Sequence, residues 1–368
     1  MFQPRMERLR AQMVEQQVDV LLLSVGADLP YFCGYEAMPL ERLTMLVVPC
    51  DDDARLIVPR LEAPRVVERP DVFEVVAWDE TDDPIQLACS LIGSASVAAI
   101  GDHTWAGFLV DLMRGLPAVE FRRASELTSP IRQVKDAAEV ESLRAAAAAA
   151  DRVAADLRSG NIELIGKTEA EVSTELGRRL LAEGHQRVNF AIVAAGENAA
   201  SPHHEAGERV IKPGEIVLCD IGGTMMDADG VGYCSDITRC VHLGEPPADL
   251  VEAYDVLFEA QAAQVAAAVV GNSCESVDRV GRGMIAEAGF GDNFIHRTGH
   301  GIGTEAHEDP YIVEGNTQEL RAGHAFSIEP GIYLPGRWGL RLEDIVVAAT
   351  DGPDNLTTTD HRLAVIDV

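Results

Sequence analysis

The sequence predicts two domains of mixed α/β character: an α/β domain with a mixed sheet over residues 1–130, and an α+β domain over 131–368. Three observations predict this. The chain has 368 residues, a length that suggests two hydrophobic cores rather than one. Apolar strand-like runs alternate with helical segments from the N-terminus to about Phe121. Beyond an Ala-rich helix, short apolar strands then recur, several of them carrying a carboxylate where an apolar residue would be the default.

In the first domain, Arg5 to Gln17 has helical periodicity and leads into VDVLLLS at 18–24, a buried-strand pattern. GADLPYFCGY at 26–35 reads as a loop and turn. LTMLVVP at 43–49 and ARLIVP at 54–59 flank Asp51–Asp53 and predict a hairpin. VAAIG at 97–101 is a further buried strand, and His103 and Trp105 read as structural or interfacial residues. No constellation of catalytic residue types occurs here.

Ser129 to Gly160 forms the boundary, with Pro130 expected to break the chain. Lys135 to Leu157 is predicted helical because it contains the run Ala145–Ala150, and Asp136, Glu139 and Glu141 favour its N-terminal dipole. A second helix, Thr168 to Glu183, has Thr168 as N-cap, Glu171 completing a capping box, and Gly184 as its stop. A strand and a Gly-Glu-Asn turn at 196–198 then lead to Pro202-His203. Asp249 to Val270 and Ser276 to Ala288 are helices expected to cover the outer face of a sheet.

Charge narrows the function classes. Sixty acidic against thirty basic residues give a formal charge of −30, which argues against nucleic acid and anionic membrane surfaces as partners. No run of apolar residues is long enough to span a bilayer. The segment MFQPRMERLRAQM is charged and amphipathic, unlike a signal peptide. Seven cysteines without CxxC spacing fit a reduced, cytoplasmic protein. Cys219, Cys234 and Cys240 read as small buried strand residues rather than as zinc thiolates.

The chemistry lies between Val217 and Val347. Ile216 to Leu218 is an apolar run ending at Asp220, and Tyr233 to Val241 reads as a second strand carrying Asp236. Gly222, Gly223, Asp227, Asp229, Gly230 and Gly232 between them supply turn chemistry. IHRTGHGIGTEAHE at 295–308 places His300 among glycines that let the backbone pass close to something. FSIEPGIY at 326–333 carries Glu329 into a Pro-Gly turn, and LRLEDIVV at 340–347 holds Glu343 in mid-strand. Two Asp, one His and two Glu suit a pair of divalent first-row metal ions.

With these pieces in order, the sequence resembles the metallopeptidase family with the pita-bread fold, which contains methionine aminopeptidase, aminopeptidase P, proline dipeptidase and the non-metal hydrolase creatinase. SDITR at 235–239, HRTGHGIG at 296–303, HE at 307–308, SIEPGIY at 327–333 and RLED at 341–344 carry the resemblance, which covers nearly the whole chain. It implies a creatinase-like N-terminal domain and a pita-bread catalytic domain. It implies metal ligation by Asp220, Asp236, His300, Glu329 and Glu343, with Asp236 and Glu343 bridging two ions. Mn²⁺ is the first expectation, and Co²⁺ and Zn²⁺ are also compatible with oxygen and imidazole ligands. The first two aspartates stand further apart here than in most relatives, so Asp227 and Asp229 compete with Asp220. Asp220 is preferred for its place after an apolar strand and its Asp-Ile-Gly context.

The resemblance further implies that His203 and His307 contact substrate and take part in catalysis with Glu329, and that the enzyme is a homodimer acting on small peptides. The implied activity is hydrolysis of the bond preceding proline, by an Xaa-Pro dipeptidase. The alternatives are an Xaa-Pro aminopeptidase (aminopeptidase P) and a metal-dependent amidohydrolase acting on a non-peptide small molecule. A dipeptidase needs a cation for the product-side carboxylate. Many proline dipeptidases carry an arginine a few residues after the His-Glu motif, where this chain has Tyr311. Tyr311, Arg337 and Arg341 are therefore the candidate substrate-binding residues on that side.

Overall fold

The computed structural model describes residues 1–368 and divides into two compact units, Met1–Arg132 with Asp227–Val231, and Gln133–Met226 with Gly232–Val368.

In the first unit, α1 (Phe2–Gln16) buries Phe2, Met6, Leu9 and Met13, a stripe at helical spacing, and ends where Gln17 adopts a left-handed φ of 57°. The fully buried β1 (Val20–Leu23) follows. A short helix, α2 (Asp28–Cys33), stands where the sequence predicts only loop. Six residues are too few to show helical periodicity, and Pro30 is tolerated because it falls in the first turn, where no intrahelical donor is needed. β2 (Met45–Pro49) and β3 (Arg55–Pro59) pair antiparallel, Met45 opposite Ile57, as the hairpin around Asp51–Asp53 requires. β4 (Glu74–Trp78), α3 (Pro84–Ile92), β5 (Val97–Ile100), α4 (Ala106–Gly115), β6 (Glu120–Arg123) and α5 (Ser125–Arg132) complete the unit. The six strands form one mixed sheet in the order β4-β3-β2-β1-β5-β6. Pro130 lies inside α5 and does not break it. The carbonyl it cannot serve, that of Glu126, accepts instead from Gln16 Nε2 at 3.2 Å.

The second unit opens with α6 (Ala137–Arg158), capped by Asp136 and Glu139, and α7 (Glu169–Ala182), with the predicted capping box of Thr168 and Glu171. β7 (Arg187–Ala195), β8 (Ile216–Met226), β9 (Gly232–Cys234) and β10 (Ile237–Leu243) come next, then α8 (Ala248–Ala267) and α9 (Cys274–Glu287). Eight short strands finish the chain: β11 (Gly299–Gly301), β12 (Glu308–Ile312), β13 (Ala325–Ile328), β14 (Gly331–Leu334), β15 (Trp338–Arg341), β16 (Asp344–Val347), β17 (Asp354–Asn355) and β18 (Ala364–Ile366). They build a sheet in the order β18-β10-β8-β7, with β9 on β8, a second in the order β12-β11-β13-β16-β17, and the β14–β15 hairpin.

Strand alternation sorts the first of these sheets between two helical layers. Val217, Cys219, Ile221 and Val241 join a core with Leu157, Val172 and Leu176 of α6 and α7. Ile216, Leu218 and Cys240 turn to the other face and pack with Leu250, Tyr254 and Leu257 of α8. Cys219 and Cys240 thus serve opposite cores, and all seven cysteines are free. No helix is long and apolar enough to cross a membrane.

Three sequence readings of strand shape change. β8 runs through Gly222 and Gly223 to Met226, so these glycines are strand and not turn; the turn is confined to Asp227–Val231. Asp236 lies in the interruption between β9 and β10 rather than within a strand. Glu343 lies between β15 and β16, which belong to different sheets. An unbroken apolar run conceals such a switch, because both flanks are buried and the pattern stays apolar throughout.

Candidate active site

The interruptions bring the acids together. Asp236, Glu329 and Glu343 each sit where one strand ends and the next begins, so the chain leaves the ladder and frees the side chain to turn into the space between the sheets. Asp220 reaches the same space from within β8. His300 arrives on β11, which can approach β13 and β12 this closely only because glycine flanks it. A Cβ at 299 would lie 1.8 Å from the Ser327 carbonyl oxygen, and one at 301 would lie 2.1 Å from that of Asp309.

Ligand-type atoms of Asp220, Asp236 and Glu343 lie within 4.8 Å of one another, as do those of His300, Glu329 and Glu343, and those of Asp236, His300 and His307. Asp236, His300 and Glu343 each belong to two of these groups. His300 Nε2 is 3.2 Å from Glu329 Oε1 and 3.8 Å from Asp236 Oδ2. Hydrogen bonds from behind hold these ligands in place. Thr238 Oγ1 donates to Glu343 Oε2 at 2.7 Å, Ser327 Oγ donates to Glu329 Oε1 at 3.2 Å, and His300 Nδ1 meets the Gly301 carbonyl at 3.1 Å. Arg239 holds the Glu343 carbonyl at 2.6 Å and the buried Asp344 carboxylate at 2.9 Å, which fixes the backbone on both sides of the ligand.

The electrostatics follow from burial. Burial, and then the neighbouring charges of Glu343 and Asp220, push the Asp236 carboxyl well above the usual carboxylate range. Burial and the charges of Glu329 and Asp220 do the same to Glu343, and burial raises Asp220. Glu329 goes the other way: burial alone would raise it, but the His300 hydrogen bond and charge hold it at about 2. One guanidinium, that of Arg341, ion-pairs with this cluster. Asp220 Oδ1 is buried with no hydrogen-bond partner from the protein. Four crowded carboxylates, one imidazole, no thiolate and an orphaned oxygen are the donor set of hard divalent cations, so the residues fit a pair of such ions.

The cluster opens into a cavity of about 500 Å³ whose walls include Phe190, Ile192, His203, His296, Arg297, His307 and Arg341. The rings of His300 and His307 are 4.0 Å apart. Burial and the charges of His300 and Arg297 push the His307 imidazole down to about 4, so it is neutral at physiological pH.

A model of metallopeptidase family M24 matches residues 141–350, and one of the creatinase/prolidase N-terminal domain matches residues 5–134. The chain belongs to metallopeptidase family M24. A curated relative, the probable dipeptidase PepE of Mycobacterium tuberculosis, is 41% identical over 352 residues, covering 95% of this chain and 92% of its own. The crystal structure of dipeptidase PepE from Mycobacterium ulcerans superposes with a TM-score of 0.92 at 39% identity, over 100% of this chain and 98% of that one. A recombinant prolidase from Thermococcus sibiricus has a TM-score of 0.92 at 32% identity, over 100% and 99% of the two chains. As an M24 metallopeptidase the chain belongs to a family that uses divalent metal ions.

The structure brings Asp220, Asp236, His300, Glu329, Glu343, His203, His307 and Arg341 to one cavity. It does not bring Arg337 there. That side chain is exposed, paired with Asp249 and absent from the cavity wall. Arg341 lines the cavity, but as a holding residue: it donates to Asp220 at 2.5 Å, Tyr333 at 3.0 Å, Thr238 at 3.1 Å and the Pro202 carbonyl at 3.3 Å. Tyr311 is not part of the wall; its ring lies beneath the Arg297 guanidinium.

Two contributors escape the sequence reading. Arg297 sits three residues before His300 in a stretch read for its glycines, for His300 and for the family motif, with no role given to the arginine. Glu169 stands at the first position of α7, where an acid looks like a helix-dipole residue. It is fully buried, accepting from Ala195 N at 2.8 Å, Asn198 Nδ2 at 3.0 Å and His204 Nε2 at 2.8 Å. That network ties His204 back into the protein, so its neighbour His203 is the one that lines the cavity.

The competition among the hairpin acids has a direct test. Asp227 is engaged in its own turn, its Oδ1 accepting from Asp229 N at 2.9 Å and Val231 N at 2.8 Å, and it neither joins the ligand groups nor lines the cavity, whereas Asp220 does both. Asp220→Asn is expected to lower the bound metal from two ions to about one, while Asp227→Asn and Asp229→Asn keep both. Elemental analysis of the purified proteins checks this, and an unchanged metal content in Asp220→Asn would reassign the ligand.

Proposed function

We propose that the chain is an Xaa-Pro dipeptidase that cleaves the peptide bond preceding proline with two divalent ions, Mn²⁺ first among them. We further propose that it works as a cytoplasmic homodimer. The observation that carries the reading is the convergence of Asp220, Asp236, His300, Glu329 and Glu343 at the floor of one cavity. The names of its relatives, dipeptidase and prolidase, support the substrate, and seven free cysteines support a reducing compartment.

Asp236 and Glu343 would hold both ions, Asp220 would complete one, and His300 and Glu329 the other. Two such ions supply Lewis acidity to the scissile carbonyl and a water made acidic enough to lose its proton near neutral pH. The rest is done by the protein. Phe190 and Ile192 give the pocket an apolar wall that excludes water and suits a pyrrolidine ring. His203 and His307 present imidazoles to the substrate's carbonyl and leaving nitrogen. Glu329, ionised and hydrogen-bonded to Ser327, is able to receive a proton.

A panel of Xaa-Pro dipeptides, Xaa-Pro-Xaa tripeptides and dipeptides lacking proline, assayed with the Mn²⁺-loaded full chain, tests the function. The expected result is a kcat/KM for Ala-Pro at least about tenfold above Ala-Pro-Ala and Ala-Ala. A preference for tripeptides would assign aminopeptidase P instead. Light scattering tests the dimer.

A further inference from the structure

A dipeptide whose scissile carbonyl lies over the clustered acids ends one residue further on in a carboxylate. Placing that carboxylate in a cavity already crowded with four acids is costly unless a cation meets it. Two cationic side chains with fixed charge line the cavity, Arg297 and Arg341. Arg341 is buried, its charge is matched by Asp220, and its donors are committed to four protein acceptors. Arg297 is the opposite case. It is half-buried on the loop before His300, and its guanidinium forms no ion pair or side-chain hydrogen bond within the chain. Its guanidinium carbon stands 4.4 Å from the centre of the Tyr311 ring. A guanidinium stacked on an aromatic ring uses its face for the ring and keeps its N–H edge for an anion.

We propose that Arg297, supported on Tyr311, binds the C-terminal carboxylate of the dipeptide and sets the enzyme's preference for substrates that end at proline. This rests on the Xaa-Pro dipeptidase reading above. An arginine–carboxylate fork is geometrically specific as well as strong, so it rewards a free carboxylate and not a carboxamide or a longer chain. The position is reached from the glycine-rich His300 loop and not from the residues after His307-Glu308. The cation therefore comes from the connection before β11 and its aromatic platform from β12.

The test compares Ala-Pro with its C-terminal amide, Ala-Pro-NH₂, on metal-loaded wild type, Arg297→Met, Arg297→Lys and Tyr311→Ala. Wild type is expected to prefer the acid. Arg297→Met should lower kcat/KM for the acid about ten- to a hundredfold more than for the amide, mostly through KM, as loss of a charged hydrogen-bonded pair does. Arg297→Lys should recover part of the preference, since it restores charge without the fork, and Tyr311→Ala should lose part of it. Calorimetric titration with L-proline should show weaker binding to Arg297→Met, in a protein whose Tm and metal content match wild type. Equal losses on acid and amide, or an undiminished preference in Arg297→Met, would overturn the assignment while leaving the dipeptidase reading intact. Failure of wild type to cleave Ala-Pro at all would overturn that reading and this one together.

Discussion

Asp236→Ala and Glu343→Ala are each expected to abolish hydrolysis of Ala-Pro, with kcat/KM down by about a thousandfold or more and little bound metal. Each is proposed to hold both ions, so each removal damages both positions, whereas removal of Asp220 damages one. Chelation of the wild type should do the same, and Mn²⁺ or Co²⁺ should restore it. Stability should respond in a defined direction. The Asp236 and Glu343 carboxyls are pushed up by burial and by one another's charge. In metal-free protein the stability they contribute is therefore fully present below the ordinary carboxylate range. It is lost as pH rises through their raised folded values, where ionised neighbours repel. A divalent ion takes the ionised forms, so added Mn²⁺ should raise Tm more at about pH 8 than at about pH 5. Thermal scans at both pH values check the sign; an equal shift at the two would show that these acids do not govern metal-linked stability.

The fold and the acids are legible in the sequence for a physical reason: a carboxylate in an apolar strand is conspicuous because burial makes it expensive. Asp220, Asp236, Glu329 and Glu343 stand out in this way, and His300 stands out among glycines that only a close backbone approach requires. The points at which the chain switches sheets are not legible. Residues on both sides of Glu343 are buried, so LRLEDIVV reads as one strand although β15 and β16 belong to different sheets. α2 is too short to show a period. The cations are the least legible. Arg337 and Arg341 were candidates by their distance along the chain from the acids, but a guanidinium reaches far, and its partner is set in space. Asp249 takes Arg337 at the surface, Asp220 takes Arg341 inside, and Arg297 is left to face the cavity. Glu169 was hidden by its position, since an acid at the first turn of a helix already has an explanation.

Arg341→Met is expected to be the most destabilising single change around the site. The guanidinium is buried beside Asp220 at 2.5 Å and also satisfies Tyr333, Thr238 and the Pro202 carbonyl. Removing one partner of a buried ion pair leaves the other charge uncompensated, at a cost of about 3–5 kcal/mol. In metal-free protein this should appear as a fall in Tm of about 10 °C. Methionine fills much of the volume, so the loss is one of charge and hydrogen bonds rather than of packing. Arg341→Lys should recover only part, because a point charge cannot serve Asp220, Thr238 and Tyr333 together. Metal then distinguishes the roles. A cation at Asp220 supplies the positive charge that the variant lacks, so saturating Mn²⁺ should raise Tm more in Arg341→Met than in wild type. If instead Arg341→Met keeps the wild-type Tm and raises KM for Ala-Pro but not for Ala-Pro-NH₂, Arg341 meets the substrate carboxylate and Asp220 is held by other means.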